Sequence, residues 1–375
     1  MFNLDEEYLS SQLLSMLNIP SPAGYTDQIV HYVCAELEKM GIHHEVTRRG
    51  AIRATIPGTQ SLHDRAICVH LDTLGGMVSR LKSNGRLALS PVGTWSSRFA
   101  EGARVTVYTS GMQYRGTVMP LKASGHVFGQ EVDSQPVDWD HVEVRVDLDC
   151  SSKDDLIAKG FDIGDFISFD ANPEIVPNGY INSRHLDNKA GTAILLSVAR
   201  YITDNKISIP VDCHLLFTIF EEVGIGATEV LYSDINEMIV IDCAMVSEHQ
   251  NSSEHAVTIA MMDQAGPFDY HLNKKLARLC RENGISFKKD LFKFYRSDSA
   301  SAIESGSDTR TALIGFGIDG SHGYERTHME SLRQTAKIIY CYMQSDPTFS
   351  RDQHDIGPLK GFPHQPVRDL IQIET

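Results

Sequence analysis

The sequence predicts an α/β protein with a mixed central sheet flanked by helices and an inserted small β-barrel. Three observations carry that expectation. Apolar runs of strand length, such as Ala66-Ile67-Cys68-Val69 and Leu216-Phe217-Thr218-Ile219-Phe220, are interspersed with segments of helical periodicity, as in a sheet covered on both faces. Between the two runs lies a long stretch of short alternating segments punctuated by glycine, the texture of a barrel or sandwich. The 375 residues, 42% hydrophobic and 22% charged, suffice for two domains of ordinary globular composition.

The elements follow in order. A first helix is expected over residues 5–18, ending before Pro20 and the Pro22-Ala23-Gly24 loop. A second, over 26–40, places Ile29, Val30, Val33, Cys34, Leu37 and Met40 on one face and stops at Gly41. Strands at 52–56 and 66–71 open the sheet. Beyond Leu74, Asn84-Gly85, Ser110-Gly111 and Gly125 separate runs such as Val105-Thr106-Val107-Tyr108 and Val142-Glu143-Val144-Arg145-Val146, and a run ending at Phe169 closes the insert. The expected organisation is a catalytic domain in two parts, 1–74 and 177–346, an inserted β domain at 75–176, and a tail at 347–375. In the second part a helix over 189–203 buries Ile194, Leu195, Val198 and Ile202. After the 216–220 strand, a helix over 222–231, strands at 238–241 and 257–261, a helix over 270–283, a strand at 312–317 leading into a glycine-rich loop and a helix over 330–344 complete the domain. The tail carries three prolines and two histidines between 348 and 375 and is expected to pack loosely or to contact a neighbouring subunit.

Composition narrows the function. With 34 Lys and Arg against 49 Asp and Glu the formal charge is −15, and no basic patch rich in aromatics occurs, which argues against a nucleic-acid partner. No apolar run approaches the ~20 residues that span a bilayer. The opening Met1-Phe2-Asn3-Leu4-Asp5-Glu6-Glu7 lacks the basic start of a secretory signal. The 7 cysteines are scattered singly, without a C-x-x-C pair, as free thiols in a reducing compartment would be. The expected location is the cytoplasm.

The chemistry gathers at predicted strand ends, where open α/β sheets bind ligands. His70-Leu71-Asp72 closes one strand, and alternation puts the Asp72 carboxylate on the His70 side, where it can orient the imidazole. Glu221-Glu222 closes another, and adjacent acids at a buried strand end call for a cation. Asp187 opens a helix, Asp242 ends a strand, and His328 follows the glycine-rich loop. Each admits a duller role: a hydrogen-bonded histidine, a helix N-cap, a turn aspartate, a solvated acid pair. Together, His70, Asp187, Glu222, Asp242 and His328 fit a site for two divalent ions such as Zn²⁺, Co²⁺ or Mn²⁺, with Glu221 left over as a general base. There is no nucleophile elbow and no phosphate-binding loop.

These motifs resemble the tetrahedral aminopeptidases, the cytosolic two-metal family of glutamyl and deblocking aminopeptidases. The resemblance rests on Pro20-Ser21-Pro22-Ala23-Gly24, His70-Leu71-Asp72, Leu186-Asp187-Asn188-Lys189-Ala190-Gly191, Glu221-Glu222-Val223-Gly224, Ile241-Asp242 and the His328 segment, supported by Pro91-Val92-Gly93-Thr94-Trp95 and Ser297-Asp298-Ser299-Ala300. It implies that Asp187 bridges two metals, that His70 and Asp242 complete one and Glu222 and His328 the other, and that Asp72 supports His70. Glu221 would be the proton-transferring base. It also implies that the insert pairs subunits, in a homo-oligomer of dimers assembling to a dodecamer, and that the substrates are short peptides. The sequence departs from the family at Asp72-Thr73-Leu74-Gly75-Gly76, where an acid is missing, and in the lead to the last histidine, Ser321-His322-Gly323-Tyr324-Glu325-Arg326-Thr327. These departures look similar to a subgroup associated with the acetylglutaminylglutamine amide osmolyte. They leave open an amidohydrolase or deacylase acting on a small peptide amide, and a non-catalytic homologue. Arg296 and Arg326 are candidates for holding an acidic substrate side chain, although surface salt bridges are the commoner role for such residues.

Overall fold

Four strands, Gly58–His70, Ile209–Thr218, Ile235–Met245 and Arg310–Ile318, have C-terminal halves buried throughout, save for the half-buried Met245, and pair in parallel, so that they all end at one edge. Their Val, Ile, Leu and Phe side chains leave neither face to water, which is what a sheet covered on both sides demands. In this computed structural model, which describes residues 2–232, 234–353 and 356–366, they form the centre of an 8-stranded mixed sheet. Ile52–Ile56 and His43–Val46 extend it antiparallel beyond Ile209–Thr218. Val257–Ala260 lies antiparallel on Arg310–Ile318, and Phe287–Asp290 runs parallel to it at the far edge. Edge strands His43–Val46 and Phe287–Asp290 escape a pattern-based reading because their sequences, HHEV and FKKD, carry too few apolar residues to alternate.

Helices flank this sheet. Glu6–Leu17 begins at an Asp5 cap and buries Leu9, Leu13 and Met16 against the long helix Leu186–Asp204, whose Ile194, Leu195 and Val198 are fully buried. Each such side chain contributes ~1.5–3 kcal/mol by leaving water. Lys189, within the motif Leu186-Asp187-Asn188-Lys189, has a structural task. Its Nζ donates to the carbonyls of Met16 and Ile19 at 2.9 and 2.7 Å, satisfying groups that the end of the first helix leaves open. Met329–Gln344 packs on Leu186–Asp204 and on Tyr270–Glu282. Among the described residues no helix is long and apolar enough to cross a membrane, and all 7 cysteines are free.

The excursion after Leu74 closes into a barrel of six strands in the order Gly75–Leu81, Leu87–Val92, Val142–Val146, Gln113–Pro120, Arg104–Tyr108 and Phe166–Phe169. It has a separate core, including Val105, Val107, Val118, Val144 and Ile167. The chain then re-enters through a 3-stranded sheet, Glu174–Ile175, Tyr180–Ser183 and Glu325–His328. Of the tail, residues 354, 355 and 367–375 lie outside the described residues, so the expectation of loose packing or subunit contact there has no structural counterpart. The preceding piece is anchored: Arg310 pairs with Asp352 at 2.6 Å, and Lys275 donates to the Asp346 carbonyl at 2.6 Å.

Leu216 is fully buried in the strand that carries the acid pair. Leu216→Ala should lower unfolding free energy by about 2–5 kcal/mol, because the sheet interior cannot collapse around the void. Denaturant titration by circular dichroism checks this, and a loss within error of zero would contradict the packing described.

Candidate metal centre

The parallel strands deliver their ends to one place. His70 is the last residue of its strand, Asp242 lies near the end of the adjacent one, and Glu221 and Glu222 turn in just beyond Thr218. Asp187 enters from the first turn of Leu186–Asp204. His70 Nε2 lies 3.1 Å from Asp187 Oδ1, 3.8 Å from Glu221 Oε2 and 3.9 Å from Asp242 Oδ1. On the other side of Asp187, His322 Nε2 lies 3.5 Å from its Oδ2 and 3.7 Å from Glu222 Oε2. The Glu222 Oε1 atom is buried with no hydrogen-bond partner. Potential ligand atoms of His70, Asp187 and Glu222 all fall within 4.8 Å of one another, as do those of His70, Glu221 and Asp242.

Hydrogen bonds aim these groups. His70 Nδ1 meets the Asp72 carbonyl oxygen at 2.9 Å, which turns Nε2 toward the cluster. The Asp72 carboxylate does something the sequence did not suggest. It accepts the backbone N–H of Glu221 and of Glu222, each at 3.1 Å, and lies 3.6 Å from His70 Nδ1. It therefore fixes the turn that presents both glutamates as well as neighbouring the histidine. Asp298 does the same for the next piece of chain, accepting Ala227 N–H at 2.7 Å and the Thr218 hydroxyl at 2.5 Å. With those donors engaged, the helix expected over 222–231 does not form, and the segment makes two short turns, Glu221–Val223 and Gly226–Glu229.

Crowding of buried acids dominates the electrostatics. Burial and then the Asp187 charge push Asp242 up to about 8. Glu221 and Glu222 are raised well above the usual range, first by burial, against the relief offered by His70 and His322 respectively. Burial opposes a charge on His70 and His322, but the carboxylates around them prevail. His70 is raised well above its usual value and His322 to about 10. For Asp187 the burial cost is outweighed by hydrogen bonds from His322 and His70, and its pKa falls well below normal. The unpartnered Glu222 oxygen and the raised acids describe a place short of positive charge. This donor set of imidazole and carboxylate fits divalent cations.

His328 is the sequence candidate that the structure does not bring to the cluster. Its Nδ1 accepts the Glu330 N–H at 3.0 Å as cap of the last helix, and its Nε2 meets the Asn178 carbonyl at 2.9 Å. Both ring nitrogens are thereby committed, with no lone pair free for a metal. The ring lies over Gly179, where a Cβ would come within 2.7 Å of Nε2, and against Tyr180 and His255. Its neighbour Thr327 is engaged elsewhere, its hydroxyl donating to the Gly317 carbonyl at 2.6 Å. His322 occupies the expected place beside Glu222, held by Nδ1 on the Thr94 carbonyl at 2.9 Å. The signal was present: His322 too follows a predicted strand, between two glycines. Arg296 lines the cleft but pairs with Glu304 at 2.7 Å, whereas Arg326 pairs with Glu254 at 2.8 Å and does not line it. The cleft over the cluster holds about 680 Å³ and is bounded by Thr94, Glu221, Phe294, Tyr295 and Arg296.

Comparison with known proteins places the chain in a family. The family model described as M42 glutamyl aminopeptidase matches residues 50–338. The Bacillus subtilis protein named "Putative aminopeptidase YhfE" is 36% identical over 331 residues, 88% of this chain and 95% of its own. The glutamyl aminopeptidase of Lactococcus lactis is 25% identical over 251 residues, covering 64% of this chain and 68% of its own. Among solved structures, the TET aminopeptidase of a marine sediment Thaumarchaeota archaeon shares the fold with a TM-score of 0.81 at 15% identity, over 91% of this chain and 97% of its own.

Two outcomes are expected of the cluster. His322→Ala should lower the divalent metal bound per chain while His328→Ala leaves it unchanged, as read by metal analysis after gel filtration; the reverse pattern would restore His328. In the chelated protein, Asp242 and His322 have folded pKa values raised to about 8 and about 10. The folded state then holds protons that the unfolded chain releases, and stability falls as pH rises from about 4 toward 10. Thermal unfolding of chelated protein should show that decline, and metal loading should flatten it.

Proposed function

The chain belongs to the M42 glutamyl aminopeptidase family and is a peptidase, and on that premise we propose that it removes N-terminal residues from short peptides with Glu221 as general base. The observation that carries this reading is the position of Glu221. It sits in the cluster, 3.8 Å from His70 Nε2, yet also lines the open cleft, so one carboxylate faces both the metal groups and an incoming substrate. His70 and Asp242 would hold one divalent ion and Glu222 and His322 a second, with Asp187 between them; Zn²⁺, Co²⁺ or Mn²⁺ suit these donors. Bound there, the ions would polarise the scissile carbonyl and make water a nucleophile at neutral pH.

The chain's own part is proton management and placement. Glu221 takes the proton of the attacking water at its carboxylate and returns it to the departing amine. Its burial and the nearby Asp242 charge raise its proton affinity, as a base that must also act as an acid requires. Asp72 fixes the direction of Glu221 through the backbone N–H at 3.1 Å. Phe294, Tyr295 and Arg296 border the space where the residues around the scissile bond would lie.

Self-assembly belongs to the same reading. The Pyrococcus horikoshii TET1 peptidase, which shares the fold, can assemble into a tetrahedron or a large octahedral shell. The inserted domain at 75–176 would pair subunits here, en route to a dodecamer. Supporting this, its excursion exposes Val127, Phe128 and Val137, apolar side chains that a monomer leaves in water.

Glu221→Gln should retain bound metal and lower kcat on aminoacyl-anilides by about 10²–10⁴-fold, the worth of a positioned general base. Steady-state kinetics with parallel metal analysis checks it, and turnover equal to wild type would remove Glu221 from the mechanism. Free-amine substrates should be cleaved in a chelator-sensitive way and N-acetylated ones refused.

A further inference from the structure

Asp187 and His322 reach the cluster from distant parts of the chain, and neither is held there by a regular ladder. Asp187 stands in the first turn of Leu186–Asp204, where backbone N–H groups have no partner within the helix. His322 sits at φ 65, in the left-handed region that a non-glycine residue enters only when its surroundings insist. A single side chain serves both. Glu325 Oε2 accepts the N–H of Asp187 at 3.2 Å and Glu325 Oε1 accepts the N–H of His322 at 2.9 Å.

Glu325 is itself well fixed. It is 1% exposed and stands opposite Ser183 in the antiparallel pairing of Glu325–His328 with Tyr180–Ser183. Its neighbour Arg326 exchanges two backbone hydrogen bonds with Asp319, each 2.9 Å, closing the loop that carries His322. A buried carboxylate beside Asp187 is costly unless its oxygens are engaged, and the two N–H groups engage them. A carboxyl group offers two oxygens at this spacing, one for each N–H, whereas an amide would turn an NH₂ toward one of the donors.

We propose that Glu325 is a positioning residue of the metal centre, clamping the backbones of Asp187 and His322 so that their side chains face one cation-binding space. The proposal rests on reading the cluster as a metal centre. Glu325 touches neither metal nor substrate in this scheme; it sets where two ligands stand. Its loss should therefore appear in metal affinity before it appears in chemistry.

The test is E325Q in the full chain, with Zn²⁺ and Mn²⁺ affinities measured by competition with a chromogenic chelator. Expected is an affinity lower by about 10–100-fold, the usual effect of removing a group that orients a ligand, with kcat recovered when the metal concentration is raised. Affinity equal to wild type overturns the proposal, as does lost turnover that saturating metal does not restore. Should E325Q fail to fold, E325D, which keeps the carboxyl group but shortens the reach, is measured in the same way. Weakened binding supports the proposal and unchanged affinity overturns it. Failure of both variants to fold overturns it too, by assigning Glu325 to the fold. If wild type binds neither ion, the metal-centre reading itself fails, an outcome distinct from wild-type affinity in the variant.

Discussion

Buried like charges at the ends of parallel strands are the constraint to which the structure answers. Asp187, Glu221, Glu222 and Asp242 meet around His70 with little water. At ~4 Å and an effective dielectric near 20, two like charges repel by about 4 kcal/mol. Such a group persists only if something else holds the chain in place and something positive enters. The raised pKa of Asp242, about 8, expresses that same cost as proton uptake.

The holding is done by further carboxylates, each accepting donors from the chain that carries the functional groups. Asp72 grips the turn of Glu221 and Glu222, and Asp298 ties Thr218 to Ala227 across the following loop. Glu325 joins Asp187 to His322. Hydrogen bonds of this kind, from N–H and O–H groups to fixed carboxyl oxygens, are directional. They let irregular backbone stay ordered where a helix or strand would aim the side chains wrongly. The acids that do not face the cleft are as much part of the site's construction as those that do.

This explains what could be read from the sequence. The sheet, its main helices and the barrel follow from apolar periodicity, which survives in one dimension. So did His70, Asp187, Glu221, Glu222 and Asp242, because each lies at a strand end or a helix start that the pattern marks. The choice between His322 and His328 did not. His328 ends a 4-residue strand and His322 precedes it, and which one faces the cluster depends on the pairing with Tyr180–Ser183 and on a left-handed turn. Proximity to the last helix favoured His328, and that proximity is what spends it as a cap. The missing helix at 222–231 has a similar origin: local propensity gave way to Asp72 and Asp298, acids far away in sequence.

The barrel's point of insertion follows from the same geometry. It departs at Gly75, 3 residues past Asp72, and its Gly93-Thr94 turn comes back to the cluster. Gly93, at φ +88, approaches so closely that a Cβ would lie 2.5 Å from Leu74 and 3.5 Å from Glu222. That approach delivers the Thr94 carbonyl to His322 Nδ1. One wall of the cleft and one support of a histidine are thus built by the insert, and the remaining supports by the strand ends. The cluster lies where two separately packed cores meet, which ties its geometry to the way the barrel sits on the sheet.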